Sequence, residues 1–293
     1  MTSRFSTNEH LVKYIIDQMN LGCSDGLIYT IHDPVMGYGG FLLSALYYLN
    51  TYYPEINWDI NKNRISGYEL NTSVHTTAIN NIYQQTDLDM SNTIKNIDCI
   101  NQINVNKYDI IMADLHKRES CIHSYNEIIF IKYIMNSLQI NGTAAIIVSN
   151  KIITSNRLKY VKIRRSLLRK CNVHYIVEIN NQEYSSIFPT IPIKQNNKDY
   201  IIFFTNTGRT ETIELYNITL PNNSTDESII QYQTTITHDV IAENYYTIYN
   251  LIDTQMLEYE NNSSSEPMSV TSDSIDVTDI VLLENQLNDI NMS

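Results

Sequence analysis

Apolar residues recur at two periods along this chain. Leu11, Val12, Ile15, Ile16 and Met19 fall at three- and four-residue steps, which predicts a helix over 8–19 that Thr7 or Asn8 can cap. A glycine-bounded turn over 22–26 follows, then a continuous apolar run over 27–33 that predicts a buried strand ending on Asp33. The same reading predicts helices over 41–49, 73–85, 125–138 and 157–171. It predicts strands over 64–70, 97–100, 108–113, 143–149, 173–179 and 200–205.

Strands alternating with helices imply an α/β fold with a mainly parallel sheet covered on both faces. Ligands of such sheets bind at the carboxyl ends of the strands, where the strand order switches direction. Three expected strand ends carry acids: Asp33, Glu69 and Asp114. Past Arg209 the pattern weakens. Residues 1–209 therefore read as one domain, 210–255 as a small C-terminal extension, and 256–293 as an acidic, Asn- and Ser-rich tail of disordered composition.

Charge follows the same division. All 20 basic residues lie within 1–209, with 17 acids; 210–293 holds 15 acids and no base. The total of −12 therefore does not exclude a nucleic-acid partner, and the acidic end is expected to compete with nucleic acid or to recruit a protein. Lys151, Arg157, Lys159, Lys162, Arg164, Arg165, Arg169 and Lys170 crowd one segment without an acid between them. Arg157, Lys159, Lys162, Arg164 and Arg165 are the candidate phosphate contacts; the alternative is a solvated helix face.

No apolar run reaches the roughly 20 residues of a membrane span, and the first residues lack the apolar core of a signal peptide. Four scattered cysteines suit reduced thiols, so a cytoplasmic or other intracellular setting is expected. The excess of Ile, Asn and Tyr suits an AT-rich genome such as that of a virus or mobile element. His116, Cys121 and His123 lack a fourth ligand at a known spacing, so no metal site is expected.

The sharpest feature is Asp33-Pro34-Val35-Met36-Gly37-Tyr38-Gly39-Gly40-Phe41-Leu42, which follows a strand and opens a helix. Glycines there let backbone amides approach a ligand at a helix N-terminus. The segment resembles the Asp-Pro-x-x-Gly-x-Gly-Gly-Phe-Leu loop of S-adenosylmethionine-dependent N6-adenine DNA methyltransferases, above all the modification subunit of type I restriction–modification systems. Phe5-Ser6-Thr7-Asn8, Gly67-Tyr68-Glu69, the strand after Asn141-Gly142, and the stretches at 171–177 and 200–205 resemble that family in the same order. The resemblance implies a class I methyltransferase fold, Rossmann-like, with seven mainly parallel strands. It implies S-adenosylmethionine as cofactor, with Thr7, Asp33, Pro34, Gly37, Gly39 and Gly40 around its methionine part, Glu69 on its ribose and Asp98 near its adenine. Met36, where the family has a small residue or Cys, is expected to crowd the loop.

After the fourth strand the family carries Asn/Asp-Pro-Pro-aromatic, which accepts hydrogen bonds from the adenine amine and stacks on the base. Here Asp114 holds the polar position, but Leu115, His116 and Lys117 replace the prolines and the ring. Tyr184 and Phe188 are the candidate substitutes for the stacking platform, with His116 a weaker third. Two readings follow: an N6-adenine methyltransferase in which Asp114 orients the amine, or an inactive homologue that serves as a binding or regulatory subunit. The family's preceding helical domain and a large target-recognition domain have no expected counterpart within 1–293. DNA and a second protein subunit are the implied partners; no membrane and no metal are.

Overall fold

The computed structural model describes residues 7–101, 106–115, 127–180, 199–219 and 229–237. The chain divides into 1–240 and 241–293, and the second unit lies outside the described residues, as do the acidic tail, His116, Lys117, Cys121, His123, Tyr184 and Phe188.

Helix α1 (Glu9–Gln18) starts where Asn8 accepts hydrogen bonds from the amides of His10 and Leu11, so Asn8 rather than Thr7 is the cap. The run expected as one strand over 27–33 is split. Asp25 and Gly26 take positive φ and close a two-residue hairpin between β1 (Cys23–Ser24) and β2 (Leu27–Ile28), and β3 begins only at Ile31 (Ile31–Asp33). Then come α2 (Gly40–Tyr52), the short α3 (Trp58–Asn61), β4 (Ile65–Tyr68), α4 (Thr72–Thr86) and β5 (Ile94–Lys95). The expected strand over 97–100 is displaced: β5 lies earlier, paired with Gly67 and Tyr68, and Cys99–Asn101 forms a 3-10 turn. The remaining elements are β6 (Tyr108–Asp114), α5 (Glu127–Ser137), β7 (Leu138–Ser149), α6 (Asn150–Thr154), α7 (Leu158–Lys170), β8 (Asn172–Asn180), β9 (Asp199–Thr205), β10 (Thr212–Thr219) and β11 (Ile229–Thr237).

Among the described residues nine strands form one sheet, in the order β11-β10-β8-β9-β7-β6-β3-β4-β5. Seven of them, β5 to β8 in that order, make the expected sheet, parallel except for β9. Two strands from the 210–255 stretch add to it: β10 parallel to β8, and β11 antiparallel to β10. The order switches between β3 and β6, so the carboxyl ends of those two strands flank the crevice where such sheets bind ligands.

Side chains divide by the two-residue period of the pleat. Ile110 and Met112 of β6, with Ala145 and Ile147 of β7, join Leu11, Ile15, Leu42 and Leu46 in one core. The intervening Ile111, Ala113, Ala144 and Ile146 are also fully buried, on the opposite face. There α5 and α7 bury Ile131, Ile134, Val161 and Leu167. At roughly 25 cal/mol per Å² of apolar surface, this two-sided burial is what holds the switch point rigid.

Candidate functional site

The glycine loop is built from its ends inward. Asp33 closes β3, and its buried carboxylate accepts the amide of Val35 at 3.0 Å, which turns the chain at Pro34. The Met36 amide donates to the Tyr68 carbonyl at 3.0 Å and ties the loop to the end of β4. The Gly39 amide donates back to the Met36 carbonyl at 2.9 Å. Gly37 and Gly39 have φ of +54° and +86°, conformations that strain any residue with a Cβ. Gly39 then caps α2 without a side chain, leaving the first helix amides for another acceptor. A methyl placed on Gly37 or Gly40 would meet nothing within 4 Å. Space is therefore open at Gly37 and Gly40, and the donors the loop offers a ligand are the first amides of α2.

Met36 does not crowd the loop. Its side chain is buried in the core, where it rests on the bare backbone of Gly67.

Glu69, just past β4, is only 6% exposed. One carboxylate oxygen accepts the Gly37 amide at 3.1 Å and the other accepts the Asn71 amide at 2.8 Å. The acid is thus locked between the glycine loop and the start of α4, which Asn71 caps. Asn96 at the end of β5 donates to the carbonyls of Glu69 and Leu70. Nothing in the sequence pattern singles out Asn96. Asp98 accepts the Ile100 amide at 3.0 Å and the Asn101 side chain at 3.1 Å, shaping the turn beside β5.

Across the switch point, the Thr7 hydroxyl donates to the Asp114 carboxylate at 2.7 Å. The structure therefore brings together a residue expected at the cofactor and the residue expected at the amine. Leu115 follows as a buried continuation of β6, and its amide donates to the Ile147 carbonyl at 2.9 Å. A proline there could not make that bond. On the far side, Glu127 at the start of α5 accepts both the amide and the hydroxyl of Ser149, at 2.8 and 2.6 Å.

Beneath the site, His32 is fully buried, stacked on Tyr108 at 4.1 Å and edge-on to Tyr68. Its Nδ1 shares a 2.8 Å hydrogen bond with Ser66, and among the described residues its Nε2 has no partner. Burial pushes its pKa down to about 3, so the ring is neutral at ordinary pH.

The basic segment forms α7 and the residue before it. Arg157, Lys162, Arg169 and Lys170 are exposed, Lys159 lies over the Tyr160 ring, and Arg165 is half-buried. Arg164 is turned inward: its two terminal nitrogens donate to the carbonyls of Ile152 and Ser155, at 2.8 and 2.9 Å, and hold the end of α6. Among the described residues no group of three or more His, Cys, Asp or Glu is placed to hold a metal ion, and no helix is long and apolar enough to cross a membrane.

A family model described as N-6 DNA methylase matches residues 2–282. The chain belongs to the N-6 DNA methylase family. Solved structures with the same fold include the type I restriction enzyme EcoKI M protein, at 20% identity and a TM-score of 0.58, aligned over 75% of this chain and 50% of that one. The type I methyltransferase subunit from Streptococcus thermophilus aligns at 16% identity and 0.57, over 83% and 57%. A Listeria monocytogenes protein assigned to the class I S-adenosylmethionine-dependent methyltransferases aligns at 15% identity and 0.53, over 83% and 69%. No curated protein matches the chain. This family member has the class I methyltransferase fold, and it spans about half the length of the two restriction-system subunits. In it, the loop 34–40 and Asp114 stand at the carboxyl ends of the switch-point strands β3 and β6, with Thr7 bonded to Asp114, and Glu69 follows neighbouring β4.

Proposed function

We propose that this protein binds S-adenosylmethionine in the cradle formed by Asp33, Pro34, Gly37, Gly39 and Gly40, with Glu69 facing the ribose, Asp98 beside the adenine and Thr7 near the methionine part. The observation that carries the reading is the Gly37–Glu69 hydrogen bond, which joins the glycine loop at the start of α2 to the acid of the next strand. The donor set suits this group: backbone amides and a helix N-terminus for a carboxylate, a carboxylate for ribose hydroxyls. When bound, the cofactor supplies a methyl group on a sulfonium sulfur.

The reaction proposed is N6-methylation of adenine in DNA. An aromatic amine is a weak nucleophile because its lone pair is delocalised into the ring, so the protein must hold the extruded base and aim its nitrogen. Asp114 accepts a hydrogen bond from that amine. The exposed cations on and just before α7, Arg157 and Lys162 foremost, attract the phosphates, and a second protein subunit completes the recognition of DNA, in keeping with the restriction-system relatives.

A second reading is favoured by one observation. Leu115 hydrogen-bonds within the sheet where the family has proline, and Lys117 stands where the family has its aromatic residue, which suits a subunit that binds cofactor without turnover.

Calorimetry with S-adenosylmethionine, followed by mass spectrometry of treated DNA, tests both. Binding in wild type, weakened at least tenfold in Glu69→Ala, supports the cradle. N6-methyladenine that vanishes in Asp114→Ala supports the enzyme. Binding without product supports the second reading, and no binding at millimolar cofactor overturns both.

A further inference from the structure

We infer that Thr7 is a positioning residue for Asp114, and that its hydrogen bond, with the one from Leu115 to Ile147, supplies the rigidity that a proline pair gives the family's loop. The inference rests on the reading of Asp114 as the acceptor of the amine.

Three observations carry it. First, Thr7 donates to one carboxylate oxygen of Asp114 across 107 residues of sequence at 2.7 Å, in a part-buried setting. A hydroxyl donor fixes the carboxylate without neutralising its charge. Second, Thr7 is released for this contact. Threonine before a helix ordinarily spends its oxygen on the helix amides, but Asn8 caps α1 instead. Thr7 is also delivered by a fixed element, because Leu11, Val12, Ile15 and Ile16 of α1 are buried in the core. Third, the backbone after Asp114 is held by the Leu115 amide on Ile147, and the Leu115 side chain is buried. Side chain and backbone at the amine-facing position are each fixed by a hydrogen bond, and neither needs proline.

The consequence is a division of labour at residue 7. A residue that only held the cofactor would affect cofactor affinity; a residue that aims Asp114 affects turnover. Thr7→Val keeps the shape and removes the donor, while Thr7→Ser keeps the donor. In the full-length protein, cofactor affinity by calorimetry, kcat and KM on adenine-containing duplex DNA, and thermal stability are measured for both. Thr7→Val is expected to lower kcat at least about tenfold, a larger change than the one it makes in cofactor affinity. Thr7→Ser is expected to stay within about threefold of wild type in kcat. Unchanged kcat in Thr7→Val overturns the inference. So does weaker cofactor binding at unchanged kcat, which makes Thr7 a cofactor ligand. If the wild-type protein forms no methylated adenine, the enzyme reading fails on its own account. The inference is then decided by crystal structures: an Asp114 rotamer lost in Thr7→Val and kept in Thr7→Ser supports it, and one kept in both overturns it.

Discussion

The sulfur of Met36 lies 2.5 Å from the point a Cβ on Gly67 would occupy, and a methyl carbon of Leu42 lies 2.7 Å from it. Met36 of the glycine loop and Leu42 of α2 therefore fill the space that a side chain on residue 67 of β4 would need. Gly67→Ala is expected to cost about 1–3 kcal/mol in urea unfolding, the usual penalty of overpacking. Combining it with Met36→Ala should cost less than the two single changes added, because both act on one contact. Strict additivity would show that the contact does not limit the site.

Leu115→Pro restores the family residue and removes a donor. With Ile147 left short of a partner inside the sheet, the variant is expected to lose about 1–3 kcal/mol. In wild type the Leu115 amide should be protected from hydrogen exchange; rapid exchange there would refute the bond.

His32 sets an acid-side slope. Its folded-state pKa, pushed down to about 3, lies below the ordinary value of 6.5. Between those values the unfolded chain takes up a proton that the folded chain refuses, so stability falls as pH drops. From pH 7 to pH 5 the loss from this residue is about 2 kcal/mol. Urea unfolding of wild type and His32→Gln at both pH values should show the difference, and equal pH dependence in the two would remove His32 as its source.

Arg164 and Lys162 sit two residues apart and should behave differently. Arg164→Met strands two carbonyls at the end of α6 and is expected to cost about 1–3 kcal/mol of stability. Lys162→Ala should leave stability within about 0.5 kcal/mol, lower DNA affinity, and reduce the slope of log affinity against log salt by about one. Melting curves and salt titrations of the two variants separate the roles; a changed slope in Arg164→Met with unaltered stability would reverse the assignment.

Local features of the site were legible in the sequence because they depend on local chemistry. Gly37 and Gly39 announce left-handed backbone, and Asp33, Glu69 and Asp114 stand at the ends of apolar runs that form strands. What escaped depends on partners far along the chain or on elements too short to show a period. Two-residue β5 has none, so Ile94 and Lys95 went unmarked and the strand was expected over 97–100. The run over 27–33 looks continuous, yet Asp25-Gly26 folds its first two residues into a hairpin. Charge alone cannot tell Arg164, which bonds backbone inside the protein, from Lys162, which faces water. The Thr7–Asp114 bond joins positions 107 apart, and no pattern within either segment encodes it.

The placement of β10 and β11 bears on how this protein can be handled. β10 covers the outer edge of β8 over six paired positions, from Tyr175 to Asn180. A piece of the chain cut at 209 would strip that cover and leave a long row of unsatisfied amides and carbonyls on a hydrophobic strand. Such an edge recruits strands from other molecules. Preparations ending there should therefore self-associate in light scattering, while those that retain residues to 237 stay dispersed. The edge that invites aggregation in the short piece is one the longer chain keeps paired with its own backbone.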